Sequence, residues 1–297
     1  MRKLDNKGNA AILLCLVVTA LFGFTAFAVD IGLVYVEKTK LTQAMDAAAL
    51  AGVLELPNDE TLAKTVAAEY LQRNAVSPEG ITITTSLDKR SIQIEGIKNI
   101  KHLFAPIIGI KSSNIKGLAQ AVIGPAKSVT GGIRPFAVQI FDFAYGDLVT
   151  LKEDAGDGST GNYGAIALGG RGSSIFKINA LYGYAGTLSV GDYIDTEPGN
   201  MAGAANAIKN YINAEVSTYD NFPRDSIRVW TIPLVDTFQV NGRGEIKVVG
   251  FAAFYLEQIQ GQSGQIEIQG RFVRFVANAE VDLNLTDTGL YGAKLSK

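Results

Sequence analysis

The sequence has almost no cysteine and almost no histidine, and this scarcity excludes several kinds of functional site. Its 297 residues include one cysteine, Cys15, and one histidine, His102, which lies in a stretch with helix-like spacing over residues 97–109. A single cysteine forms no intrachain disulfide, and cysteine-ligated or multi-histidine metal sites need several such ligands. Because Cys15 lies inside an apolar segment, we expect no Cys–His nucleophile pair and assign His102 an ordinary surface or packing role.

An excess of basic residues is also missing. Lys and Arg number 27 against 29 Asp and Glu, so the formal net charge is −2. Nucleic-acid-binding proteins usually present a basic face, and no dense cluster of Lys and Arg occurs in this sequence, so we expect no nucleic-acid partner. The 47% of hydrophobic residues is ample for a core, and the length suggests one large or two small domains.

What the sequence does have is one long uncharged segment near its N-terminus. Residues 10–29 carry no charge, and the basic residues Arg2, Lys3 and Lys7 precede them. About 20 helical residues cross the roughly 30 Å hydrocarbon core of a bilayer, so we predict a transmembrane helix over residues 10–29. The basic residues before the span place residues 1–9 in the cytoplasm and the rest of the chain outside, at the cell surface.

Asp30 ends the uncharged segment, and we assign it to the membrane boundary. A cleaved secretory signal has a similar order of basic, apolar and small residues, and Ala26-Phe27-Ala28 fits its cleavage pattern. However, the span is longer than a usual signal core, and the helical pattern continues past Ala28 without a break. We therefore favour an uncleaved anchor that passes the membrane once. A buried core helix of a soluble protein does not explain so long an uncharged run.

Helical periodicity continues after the span to about Leu54, and Pro57 stops it. One face of this extension consists of small residues, which allow another helix or a sheet to approach closely. We predict that this face is a helix-packing interface. Its members are Ala44, Ala47, Ala48, Ala51 and Gly52.

Beyond the anchor the sequence predicts an α+β protein in two parts. Residues 30–125 combine the helix extension with a small α/β unit, in which the alternating segments 81–85 and 91–95 indicate a β-hairpin. Residues 126–132 are predicted to be a linker, because they belong to a stretch, 124–132, that is rich in glycine, proline and polar residues. Residues 133–297 contain many short alternating segments and predict a β-rich, extracellular domain of barrel or sandwich type.

Two segments resemble functional motifs but are explained more simply. Residues 156–161 match the pattern G-x-G-x-x-G, yet a strand is predicted after them where a dinucleotide site needs a helix. Asp154, Asp157 and Asn162 in and beside this stretch could offer oxygen ligands to calcium, but the stretch lacks the spacing of a known calcium loop. Asp192, Asp195 and Glu197 offer acids for a hydrolase, although a turn leading into a capped helix accounts for the segment. We therefore assign no catalytic, cofactor-binding or metal-binding residue.

Three N-terminal motifs resemble the start of TadE/TadG-like proteins of the Tad (Flp) pilus assembly system. They are Asn6-Lys7-Gly8-Asn9-Ala10 before the apolar run, Ala28-Val29-Asp30-Ile31-Gly32 at its end, and Leu41-Thr42-Gln43-Ala44-Met45-Asp46-Ala47-Ala48-Ala49-Leu50-Ala51-Gly52 after it. The resemblance covers about the first 55 residues and is specific in order and spacing. The rest of the chain is loosely similar to the larger members of this family in Gram-positive bacteria.

The resemblance implies a structural or assembly role for a membrane-anchored protein with a small pilin-like unit, and not an enzyme. Its expected partners are the lipid bilayer and other pilin-like or Tad secretion-system membrane proteins, with no cofactor and no small-molecule substrate. Pilins cut by the prepilin peptidase usually have glutamate at the fifth position after the cut. Cutting after Gly8 would put Leu13 there, which favours an accessory or minor pilin-like protein over a major subunit.

Two other functions stay open beside this one. The first is a surface adhesin whose β-rich domain binds a carbohydrate or a protein. It is compatible with the pilus role, because pili carry adhesins. The second is an anchored extracellular hydrolase that uses the acids at 192–197.

Overall fold

The computed structural model describes residues 7–152, 160–197, 202–238, 244–262 and 265–296. The chain forms two compact units. The N-terminal unit extends to Val53 and takes in Glu60–Ala121 and the last residues from Leu295. The C-terminal unit consists of Leu54–Asp59 and Val122–Lys294. Helices dominate the first unit and strands the second, so the expected α+β class is confirmed.

The first element is a single long helix, α1, from Lys7 to Val53. No proline interrupts it, and its first half is apolar on every side, so the sequence contains nothing that favours a break. The large apolar side chains of this half are exposed, with Phe22 and Phe24 71% and 75% exposed. Among the described residues, α1 is the one helix that is long and apolar enough to cross a membrane.

The second half of α1 packs on the rest of the N-terminal unit. The other elements of this unit are helix α2 (Glu60–Arg73), strands β1 (Ile81–Thr85) and β2 (Ser91–Lys101), and the first part of β3 (Ser112–Thr130). Helix α2 buries Ala63, Ala67 and Leu71, which recur every four residues on one face. β1 pairs antiparallel with β2, which confirms the predicted hairpin, and β2 lies next to β3.

Two stretches differ from the sequence-based expectation. The segment 97–109 was expected to be helical, but β2 continues to Lys101 and is followed by a 3₁₀ turn of four residues, Ala105–Ile108. Residues 126–130 of the expected linker belong to β3, where Val129 pairs with a neighbouring strand. The segment is a strand because Ala126 and Val129 are buried apolar residues. The division into domains at 126–132 stays a prediction.

The C-terminal unit is rich in strands and has two helices among the described residues. Its elements, in chain order, are β4 (Phe136–Gln139), β5 (Leu148–Lys152), β6 (Thr160–Ala165), α3 (Ser173–Tyr182), β7 (Thr187–Ser189), β8 (Tyr193–Asp195), α4 (Ala202–Ile212), β9 (Val229–Val235), β10 (Glu245–Gln262), β11 (Gln265–Val273), β12 (Phe275–Val276), β13 (Ala279–Val281) and β14 (Leu290–Ser296). The predicted β-rich part is therefore confirmed.

The strands of this unit form mixed sheets. One sheet has the order β11-β5-β6-β4-β9-β10-β8, and β10 also pairs with β11. Strand β10 reaches three partners because it is 18 residues long: its start pairs with β8, its middle with β9 and its end with β11. The second part of β3 pairs with β7 and β13, and β12 runs parallel to β14. The described strands thus belong to two mixed sheets rather than to a single closed barrel.

Successive side chains of β10 point to opposite faces of its sheet and contribute to an apolar core on each face. Ala252 and Phe254 belong to the cluster that also contains the buried faces of α3 and α4, whereas Phe251 and Tyr255 belong to a second cluster on the opposite face. In the first cluster the ring of Trp230 stacks on Phe136 with centroids 5.4 Å apart. In the second cluster, Tyr219 and Phe222 of the connection between α4 and β9 pack against the buried core.

Candidate functional site

The predicted small-residue face of α1 lies in the interior of the N-terminal unit. Ala44, Ala48 and Gly52 are buried, and Ala47 and Ala51 are partly buried. The face packs against α2 and β2 of the same chain. Its closest approach is at Gly52, where a Cβ atom would lie 2.7 Å from the carbonyl oxygen of Ala63 and 2.9 Å from Cδ1 of Ile92. Contact of this face with another subunit stays a prediction.

Asp30 has partners that its place in the sequence does not reveal. It is 2% exposed. Its Oδ1 accepts a hydrogen bond from the backbone N–H of Leu103 at 2.7 Å, and its Oδ2 accepts from Phe104 at 3.0 Å and from Ala105 at 2.6 Å. These donors stand 73 to 75 residues further along the chain. The carboxylate thus satisfies free N–H groups at the start of the 3₁₀ turn, as an N-cap does.

This turn forms the tip of the connection between β2 and β3, and His102 closes its base. The backbone N–H of His102 donates to the carbonyl oxygen of Lys111 at 3.0 Å. Its ring Nε2 lies 2.8 Å from the hydroxyl oxygen of Ser113, within hydrogen-bond distance. These two contacts fix His102 at the base of the turn, and its assignment to an ordinary surface or packing role stays a prediction.

Two of the three acids of the 192–197 segment, Asp195 and Glu197, interact electrostatically with Arg171. Asp195 forms an ion pair with Arg171 at 2.5 Å, and Asp192 accepts a hydrogen bond from the backbone N–H of Ser189 at 2.8 Å. Glu197 is 6% exposed. Within the part of the chain that the structure describes, no three His, Cys, Asp or Glu residues are placed to hold a metal ion. Residues 156–159 of the glycine-rich pattern and residues 198–201 lie outside the described part of the chain.

A polar cleft of about 510 Å³ lies in the C-terminal unit. Its lining includes Tyr219, Asp220, Arg228, Tyr255, Glu257 and Arg271. These residues come from the loop after α4, the approach to β9, and the paired strands β10 and β11, where Tyr255 stands opposite Arg271. Two cations and two carboxylates balance in charge, so the cleft offers hydrogen-bond donors and acceptors in similar number.

Arg271 organises the wall of this cleft. Its Nε donates to Oε1 of Glu257 at 2.6 Å, and its guanidinium lies 4.9 Å from the ring centroid of Tyr219. The hydrogen bond to Glu257 raises the pKa of Arg271. Arg228 donates through Nη1 to the carbonyl oxygen of Glu257 at 3.2 Å, whereas its buried Nε has no partner among the described residues.

Glu215 fixes the loop that forms one side of the cleft. It accepts hydrogen bonds from the hydroxyls of Ser217 and Ser226, both at 2.5 Å, and from the backbone N–H of Ile227 at 2.8 Å. Burial alone would raise the pKa of Glu215, but these bonds and the charge of Arg228 lower it below its ordinary value. None of these residues was predicted from the sequence, because the loop and both strands meet only in the folded chain.

The exposed apolar half of α1 is long and apolar enough to cross a membrane, which suggests membrane anchoring. Residues 8–56 match the model of the family described as "Putative Flp pilus-assembly TadE/G-like". The N-terminal region of the chain, which contains α1, is therefore similar to TadE/TadG-like proteins of the Tad pilus system. No curated protein and no solved structure matches it.

Proposed function

We propose that the chain is an accessory or minor pilin-like component of Tad (Flp) pilus assembly, held in the membrane by the first half of α1. The observation that carries this proposal is α1 itself. Its first half presents apolar side chains on all sides, while its second half is the core helix of an α+β unit. The region that matches the TadE/G-like model covers both halves.

The proposed topology places residues 1–9 in the cytoplasm and both units outside. Arg2, Lys3 and Lys7 precede the span, and the first basic residue after it is Lys38. The role is structural and not enzymatic, which agrees with the family and with the separate partners of Asp192 and Asp195.

The proposed partners are the bilayer and other pilin-like or Tad secretion-system membrane proteins. Because Ala44, Ala48 and Gly52 are already covered within the chain, contact of the small-residue face with another subunit would rest on Ala47 and Ala51. The apolar half of α1 offers a second surface for neighbouring membrane helices.

Deletion and complementation in the host test this role. We expect deletion of the chain to reduce or abolish Tad pili, and the full chain to restore them. The matched control exports residues 30–297 behind a cleavable signal, so that the same units are present without the anchor. This released form is expected not to restore pili. Normal pili in the deletion strain would contradict the assembly role, and full rescue by the released form would contradict the need for an anchor.

The polar cleft of the C-terminal unit supports an adhesin as a second candidate function. Its volume of about 510 Å³ is within the range of small-ligand sites. A saccharide needs donors and acceptors together with an apolar ring face, and Arg228, Asp220 and the half-buried Tyr219 provide these chemistries. A neutral mono- or disaccharide is therefore the ligand class that suits the cleft.

Ligand-observed NMR with full-length protein in micelles and a set of neutral disaccharides tests this second candidate. We expect binding that is lost in Asp220→Ala and kept in Asp225→Ala, which removes an exposed acid near the cleft but not in its lining. Equal signals from both variants, or no binding by the unaltered chain, would contradict a saccharide site in the cleft.

A further inference from the structure

The tip of the β2–β3 connection presents a dense group of exposed apolar side chains. We call residues 103–110 the tip loop. Its large apolar members are between 43% and 88% exposed, and they are Leu103, Phe104, Ile107, Ile108 and Ile110. A single exposed apolar side chain needs no explanation, but such a cluster within eight residues indicates a surface that another apolar phase covers.

The tip loop lies beside α1 where the predicted span ends. The carboxylate of Asp30 bonds directly to the N–H groups of Leu103, Phe104 and Ala105, so these residues are within hydrogen-bond reach of the first residue after the span. A membrane that surrounds residues 10–29 therefore reaches the level of the tip loop.

The surface of α1 stays apolar for some distance past Asp30. Ile31, Tyr35 and Val36 are 52%, 71% and 47% exposed. The next charged residue of α1 is Glu37, which forms an ion pair with Lys98 at 2.8 Å. Seven helical residues rise about 10 Å, which is of the order of one interfacial layer of a bilayer. Tyrosine is enriched in this layer, and Tyr35 stands within it.

The backbone of the tip loop is largely satisfied without water. Three of its N–H groups bond to Asp30, and the proline at position 106 has no N–H. Within the loop, Ile107, Gly109 and Ile110 donate to the carbonyl oxygens of Phe104, Pro106 and Ala105. Backbone groups without partners are costly to bring close to the hydrocarbon of a membrane, so these bonds suit the loop to a place at its surface.

From these observations we infer that the tip loop is a second membrane contact, inserted into the interfacial layer of the bilayer that α1 crosses. Lys101 and Lys111 flank the loop and are exposed, so they face anionic lipid headgroups. The buried carboxylate of Asp30 couples the loop to the anchor and fixes the N-terminal unit at a set height and rotation on the membrane. This inference rests on the proposed membrane anchoring by α1.

Spin-label accessibility in vesicles tests the inference. The full chain with Cys15→Ser is labelled at one new cysteine in each of three variants, Ile107→Cys, Leu87→Cys and Phe22→Cys. It is reconstituted in vesicles of phosphatidylethanolamine and phosphatidylglycerol. Leu87 is the matched control, because it is fully exposed in the turn before β2, about 33 Å along that strand from the tip loop. Phe22 reports on the anchor.

We expect labels at 22 and 107 to collide preferentially with oxygen, which partitions into lipid. The label at 87 should collide preferentially with a water-soluble nickel chelate, several-fold more often than the label at 107. If the label at 22 contacts lipid while the labels at 107 and 87 both contact water, the inference is overturned but the membrane anchor is supported. Shielding at 107 only after other pilus components are added would also overturn it, in favour of a protein occupant. Water contact at 22 would refute the anchor and the inference together.

Discussion

Replacing Gly52 by alanine is expected to destabilise the N-terminal unit by about 1–3 kcal/mol, the usual cost of overpacking. The added Cβ would lie 2.7 Å from a backbone oxygen, that of Ala63, and backbone atoms do not give way unless α2 itself shifts. It would also lie 3.0 Å from Cβ of Ala67. The measurement is denaturant unfolding of the full chain in micelles, followed at the N-terminal unit by hydrogen exchange.

Gly32→Ala is the matched control for this substitution. Gly32 is in the same helix, and apart from its chain neighbours and the nearby helix backbone no heavy atom lies within 4 Å of the position its Cβ would take. Alanine is favoured over glycine within a helix by about 1 kcal/mol, so this variant should be neutral or slightly more stable. If Gly52→Ala is as stable as Gly32→Ala, the close packing between α1 and α2 described above is wrong.

Replacing Asp30 by asparagine should loosen the tip loop. The side chain keeps its size, but one accepting oxygen becomes an NH₂ group that faces backbone donors. A buried donor left without an acceptor costs about 1–3 kcal/mol, and the N–H of Ala105 is buried. We therefore expect the amides of Leu103, Phe104 and Ala105 to exchange with solvent about ten-fold to a hundred-fold faster.

The control for Asp30→Asn is Asp46→Asn, the same chemical change further along α1. It should leave exchange at residues 103–105 unaltered, because Asp46 is not among the partners of these amides. Exchange by mass spectrometry on the full chain in nanodiscs resolves this peptide. Unchanged exchange in Asp30→Asn would show that the carboxylate does not hold the loop, and would remove the coupling between the loop and the anchor.

The long helix and the first hairpin were predictable because their signals are local. An uncharged run and three- and four-residue spacing through Leu41, Met45 and Ala48 indicate α1 without knowledge of the rest of the chain. Strict alternation likewise indicated β1 and β2. The small residues of α1 could be singled out for close packing because a lack of side-chain volume is visible in the sequence itself, and their role as an interface stays a prediction.

The partners of these residues were not predictable, because they depend on contacts far apart in the chain. Asp30 was assigned to the membrane boundary, yet its carboxylate bonds to a loop more than seventy residues away. The segment that contains this loop was expected to be helical, since Ile97, Ile100 and Phe104 have helical spacing. Residues 97–101 instead continue strand β2, which lies next to β3, and a short 3₁₀ turn follows. The polar cleft was missed for the same reason, because Tyr255 and Arg271 meet across a strand pair.

The most direct test of the central claim is the intact mass of the chain from native membranes, before and after a protease is added to protoplasts or spheroplasts. An uncleaved anchor predicts a full-length chain, with or without Met1, before treatment. After treatment the exported units should be lost and a membrane-held N-terminal fragment containing residues 10–29 should remain. A mass that lacks all residues through Ala28, or a full-length chain that the protease leaves untouched, would contradict an uncleaved anchor with both units outside.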